Sequence, residues 1–233
     1  MIFIGLDVSK ISTALCIEKN NKTKLFNYTT KKLNNCWIKD TIDFINYRHI
    51  EYNYLQEKDY SKKELMKLVE FDNVTDLIIN DIFDNIKILN SIKIAIEGYA
   101  YQAKGDIFDL IEFTTLLKHK LIHKLNGYSS VNILSPHTLK TETCKMVYKP
   151  RIETKGKRVI KNLFHFESPS GKEATKWDKK DMFQAFIDSK IEIELKEWCK
   201  EYQKEILANK DLPKPIDDIV DSVWLAQIMK LNH

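Results

Sequence analysis

The stretch IFIGLDVSKISTALCIEKNNKTKLFNYT, residues 2–29, decides the fold. It opens on a short apolar run, residues 2–8, interrupted by Gly5 and ending around an aspartate, Asp7. Residues 12–19 (STALCIEK) and 23–29 (TKLFNYT) follow as further strand candidates, divided by Asn20-Asn21. Strand, turn, strand, turn, strand at this spacing predicts an antiparallel meander.

Residues 31–90 change character. They are polar and rich in Asn, Asp and Lys, with helical spacing over residues 63–69 and 74–89, and read as a helical insertion. The next apolar run, IKIAIE at residues 92–97, again ends in a carboxylate, Glu97. Residues 106–125 predict a long helix, with Ile107, Leu110, Ile111, Leu117, Leu121 and Leu125 on one stripe. Phe108, Phe113 and Leu116 widen that stripe. Residues 131–134 predict a short strand, closed by Ser135-Pro136. Residues 149–170 hold Pro150, Gly156 and Pro169 and read as a second insertion, partly loop. Helices resume near Lys179, and Pro215 stands just ahead of a final helix over residues 216–229. This order predicts one α/β layer domain across residues 1–233, with a mixed sheet.

A hydrophobic content of 43% suffices for a core. The net charge of +4 says little, but its distribution says more. Residues 136–181 hold twelve Lys/Arg against six Asp/Glu, leaving the rest slightly acidic. Such a concentration suits a nucleic-acid partner, the alternative being a solvated lysine-rich loop. Cys16, Cys36, Cys144 and Cys199 form no CxxC pair, which argues against structural zinc and a disulfide scaffold. A strand-like opening in place of a signal peptide, and no membrane-length apolar run, lead us to expect a soluble intracellular protein. No phosphate-binding loop, dinucleotide fingerprint or nucleophile elbow occurs. His119 and His123 are four apart on one helix, but no further ligand motif accompanies them, and they read as surface residues.

The acids carry the chemistry. Asp7 and Glu97 end apolar strands, where a carboxylate is unfavourable unless solvated, hydrogen-bonded or bound to a cation. The final helix adds Asp217, Asp218 and Asp221, with Asp218 and Asp221 three apart on one face. Like charges at that spacing repel, and a divalent cation turns the repulsion into binding. Carboxylates without His or Cys suit Mg²⁺. Asp7, Glu97, Asp218 and Asp221 make a set able to hold two such ions on a phosphodiester.

With these residues in view, the chain resembles the RuvC-like Holliday junction resolvases of the RNase H-like superfamily. The resemblance lies in GLDVSKISTAL, in AIEGYAYQAKGDIFDLIEF and in DDIVDSVWLA, with LSPHTLK and GKEATKWDKKDMFQAF between them. It covers roughly residues 1–30 and 92–229. It implies an RNase H-like five-stranded mixed sheet flanked by helices, the helical insertion following the third strand. It also implies a homodimeric endonuclease that cuts four-way DNA junctions by paired nicks. Asp7, Glu97, Asp218 and Asp221 would bind two Mg²⁺ per site, Mn²⁺ substituting, and Asp217 is an alternative to Asp218. Either Lys176 or Lys179 would be the active-site lysine. Lys140, with Lys172 and Lys180, would contact DNA, and Tyr99 or Tyr101 would stack on bases at the crossover. The broad apolar surface of residues 106–125 fits a dimer contact. The rival readings are an RNase H-like transposase, which normally needs a further domain, and a non-catalytic junction-binding protein.

Overall fold

The computed structural model describes residues 1–30, 42–86, 92–99, 107–125, 130–155 and 158–232. The predicted meander is present: β1 (Ile2–Asp7), β2 (Ser12–Lys19) and β3 (Lys22–Thr29) pair antiparallel in sequence order. Asn20 and Asn21 form the two-residue connection, both at positive φ (51° and 59°). Paired positive φ values match the twist of the flanking strands, and Asn accepts them better than most residues.

The sheet has six strands, not five. β5 (Ile92–Glu97) pairs parallel with β1, and β6 (Val131–Leu134) pairs parallel with β5. The extra strand, β4 (Ile45–His49), lies within the segment read as a helical insertion and pairs parallel with β3, giving the order β4-β3-β2-β1-β5-β6. Its sequence, INYRH, carries no apolar run, since an edge strand leaves Asn46, Arg48 and His49 largely open to solvent. The helical part of that segment is α1 (Tyr60–Asp84), capped by the Asp59 carboxylate accepting from the Lys62 amide at 2.8 Å.

Helices cover both faces. α1 and α2 (Ile107–Lys124) pack on one, burying Phe71, Ile78, Phe113, Leu117 and Leu121 against Ile4, Leu6 and Leu15. The Phe71 and Phe113 rings meet edge to face with centroids 5.4 Å apart. Much of the apolar excess of α2 is thus used within the chain: Phe113 is buried and Leu116 half-buried, leaving Phe108 exposed. Lys67 joins the two helices through Asp109 (3.2 Å) and Glu112 (2.9 Å), and Lys10 reaches Asp109 at 2.8 Å.

The other face carries α3 (Pro136–Val147), α4 (Lys179–Asp188), α5 (Glu194–Glu201), α6 (Gln203–Ala208) and α7 (Ile216–Leu231). Ser135 caps α3, accepting from the Thr138 amide at 3.1 Å, with Pro136 in the first turn where its missing N–H is harmless. The segment read as a second insertion, partly loop, contains a hairpin of β7 (Pro150–Lys155) and β8 (Arg158–Phe166).

α7 is the central helix. Every residue from Ile216 to Met229 except Gln227 is buried, and the helix lies across β1, β2 and β5. Gly5 permits this closeness: a Cβ there would stand 1.9 Å from the Ser222 carbonyl oxygen and 2.7 Å from the Ala226 amide nitrogen. Cys16, Cys144 and Cys199 are free and buried. Among the described residues, no helix is long and apolar enough to cross a membrane.

Candidate metal centre

Three elements distant in sequence bring the acids together. The register pairs Leu6 with Ile96, so Asp7 and Glu97 leave the sheet side by side at the same end of two parallel strands. Sites collect at such strand ends. α7 crosses that end, and its second turn brings Asp221. Carboxylate oxygens of Asp7, Glu97 and Asp221 all lie within 4.8 Å of one another. Among the described residues this is the one group of three or more metal-type donors so placed. His119 and His123 stand apart from it, exposed on α2, their rings 6.0 Å apart.

Charge this dense in a buried place is unfavourable without a counter-charge. Burial first, and then the Glu97 charge, push the Asp7 carboxyl well above the ordinary range, with Asp218 and Asp221 adding to the effect. Burial, followed by Asp221, raises Glu97, while its hydrogen bond with Asp7 and the charges of Lys179 and Lys140 oppose the rise. Burial also raises Asp221, against the pull of Lys179. Each direction says that the folded arrangement resists holding these groups all ionised.

Lys179 supplies part of the missing positive charge. Its ammonium donates to Asp221 Oδ2 and lies 4.0 Å from Asp7 Oδ2. Burial works to lower the lysine's pKa, but the attraction of Asp221 and Asp7 prevails and raises it. The placement of Lys179 comes from a reciprocal cap. Asp178 accepts from the Lys180 and Asp181 amides at 2.9 and 3.1 Å, and Asp181 accepts from the Asp178 amide at 2.9 Å. α4 therefore begins at Lys179. Lys172 braces the cap, 2.7 Å from both Asp178 and Asp181.

Lys176 is not brought in. It is 71% exposed and pairs at 2.7 Å with Glu173, which itself meets His165 at 2.9 Å. Lys140 stands close enough to Glu97 for its charge to be felt there. Lys180 donates to the carbonyls of Leu207 (3.2 Å) and Asn209 (2.7 Å), tying α4 to the end of α6. Tyr99 is half-buried, and its hydroxyl accepts from Lys118 at 3.0 Å. Tyr101 lies outside the described residues.

Asp217 and Asp218 are buried beside the group of three but not within it. Burial, then Asp218, raises the Asp217 carboxyl. Both acids receive Lys214, a residue that sequence reasoning passed over. Its ammonium is 2.8 Å from Asp217 Oδ2 and donates to Asp218 Oδ1. The available signal was its spacing of three and four residues ahead of the acids, hidden because Lys214 precedes the predicted helix. The other oxygens, Asp217 Oδ1 and Asp218 Oδ2, are buried without a hydrogen-bond partner, as is Asp221 Oδ1. Buried carboxylate oxygens normally have partners. An all-oxygen donor set with orphaned oxygens on one helix face fits a hard divalent cation such as Mg²⁺.

No protein-family model matches the chain, and no curated protein matches it. Among solved structures it is similar to Thermus thermophilus RuvC, at 10% identity and a TM-score of 0.42, over 98% of this chain and 92% of that one. It is equally similar to T. thermophilus RuvC in complex with a Holliday junction substrate, at 11% identity, a TM-score of 0.42 and the same coverage.

Proposed function

We propose that the protein is a divalent-metal-dependent endonuclease that cuts four-way DNA junctions. The observation that carries the reading is the convergence of Asp7, Glu97 and Asp221, with buried oxygens left unpartnered. Asp7, Glu97 and Asp221 would hold the first ion, Mg²⁺ or Mn²⁺, and Asp218 or Asp217 would contribute to a second. Bound divalent ions supply activation of water and neutralisation of charge on the scissile phosphate.

The chain's own groups do the rest. Asp7 and Glu97, fixed at the ends of neighbouring sheet strands, would hold the cation in one place, and through it the reacting phosphate would be oriented. Lys179 offers a positive charge at the mouth of the site, where a phosphodiester oxygen gains negative charge. Lys140, whose charge is felt at Glu97, extends that charge along the DNA backbone, and the basic segment around it holds flanking phosphates. Tyr99, with its hydroxyl already engaged, offers its ring to a base at the crossover.

The junction as substrate rests on the sequence motifs shared with junction resolvases. A homodimer is part of the proposal, since paired nicks need two sites at fixed separation. The test is incubation with a synthetic four-way junction and Mg²⁺, beside linear duplex and single strand of the same sequence. Preferential, paired cleavage of the junction is expected. Equal cleavage of linear duplex, or a monomer at micromolar concentration, overturns the junction reading. No cleavage of any DNA overturns the nuclease reading as well.

A further inference from the structure

Lys214 bridges the two acids that open α7. Its ammonium is shared between Asp217 Oδ2, at 2.8 Å, and Asp218 Oδ1. The acids are 6% and 4% exposed, and each keeps one buried oxygen without a partner. The Lys214 side chain itself is half-exposed. It therefore has room to leave while the acids, fixed in the first turn of α7, do not.

From this geometry we propose that Lys214 is a tethered cation competing with a divalent ion for the Asp217/Asp218 end of the site. The inference rests on the metal-dependent reading above and goes beyond it. Each end holds one ammonium, Lys179 on Asp221 and Lys214 on Asp217 and Asp218. An ion displacing Lys179 gains three converging carboxylates, whereas an ion at Asp218 must evict Lys214 for a smaller donor set. The two ends of the site are consequently unequal. The first ion binds at the group of three, and the second binds weakly until Lys214 swings out. Lys214 thereby sets the divalent-ion concentration at which the site fills.

The test measures binding, not cleavage. Mn²⁺ is titrated calorimetrically into the metal-stripped full chain, with free Mn²⁺ followed in parallel by its electron paramagnetic resonance signal. The wild type is expected to show two classes of site. A positive charge a few ångströms from a dication, in a half-exposed setting, weakens its binding by about tenfold or more. In Lys214→Met the weaker class should tighten by that factor, with the stronger class left in place. Lys214→Arg, which keeps the charge, should behave as wild type, and adding Asp218→Asn to Lys214→Met should abolish the gain. Lys214→Gln makes the same comparison should the Met variant fail to fold.

Superimposable wild-type and Lys214→Met titrations, or a weaker class lost in Lys214→Met, overturn the inference and leave the metal-dependent reading intact. If the wild type binds no Mn²⁺, or Asp7→Asn leaves the stronger class unchanged, the metal-dependent reading falls and this inference falls with it.

Discussion

Gly5 of β1 and Ser222 of α7 are in backbone contact, close enough that a Cβ on Gly5 would stand 1.9 Å from the Ser222 carbonyl oxygen. The central helix is seated on the strand that bears Asp7, at the residue next to Asp221. Neither atom is a flexible side-chain end, so the overlap is relieved only by moving helix or strand. Gly5→Ala is expected to lower unfolding free energy by about 3 kcal/mol or more. Urea denaturation followed by circular dichroism measures it. Because the shift separates Asp7 from Asp221, Mn²⁺ affinity should fall too. A variant as stable as wild type would show that α7 does not sit so tightly on β1.

Lys176 and Lys179 share one motif, and the structure separates them. Lys179 contacts Asp221 and approaches Asp7, while Lys176 is tied at the surface to Glu173. Lys179→Ala is expected to slow junction cleavage about 100-fold or more, as loss of one charge-stabilising group does. Lys176→Ala should stay within about threefold, as for an exposed ion pair. Single-turnover cleavage with saturating Mg²⁺ measures both rates, and the reverse ranking would move the active-site lysine.

Asp109 holds α2 to α1 and to the start of the chain. Burial works to raise its carboxyl, but hydrogen bonds from Lys10 and Lys67 outweigh it and hold the group below its ordinary 3.8. A carboxylate depressed on folding adds stability that is fully present above its ordinary pKa and is lost as the pH falls through the lowered value. Asp109→Asn should cost about 2 kcal/mol above pH ~5, with the deficit shrinking in more acid solution. Thermal unfolding of both proteins across this range gives the comparison. A deficit independent of pH would show that the network acts by packing alone.

The charge of Lys140 acts on Glu97, and Lys140 belongs to the most basic part of the sequence. Junction affinity, measured in Ca²⁺ to suppress cleavage, should fall steeply with salt. Lys140→Ala should lower both the affinity and, by about one, the slope of log affinity against log salt. An unchanged slope would place the DNA surface elsewhere.

The α/β class, the meander, the two strands ending in Asp7 and Glu97, and the acid-bearing last helix were all legible in the sequence by itself. Each is a local pattern: an apolar run of strand length closed by a carboxylate, an Asn-Asn turn, acids three apart behind a proline. Tertiary structure decided what depends on distant partners. INYRH becomes β4 only because β3 offers it an edge, and nothing in its own composition says so. The apolar excess of α2 meets α1 across a gap of dozens of residues, so the same pattern suits either an internal contact or a dimer. Lys179 enters the site and Lys176 does not because the Asp178–Asp181 cap starts α4 at Lys179 and α4 packs on α7. Lys214 reaches Asp217 and Asp218 because burial of α7 leaves those acids few other partners. Periodicity records which face of an element is apolar; which side chains meet across elements is set by how those faces pack, and packing is a property of the whole chain.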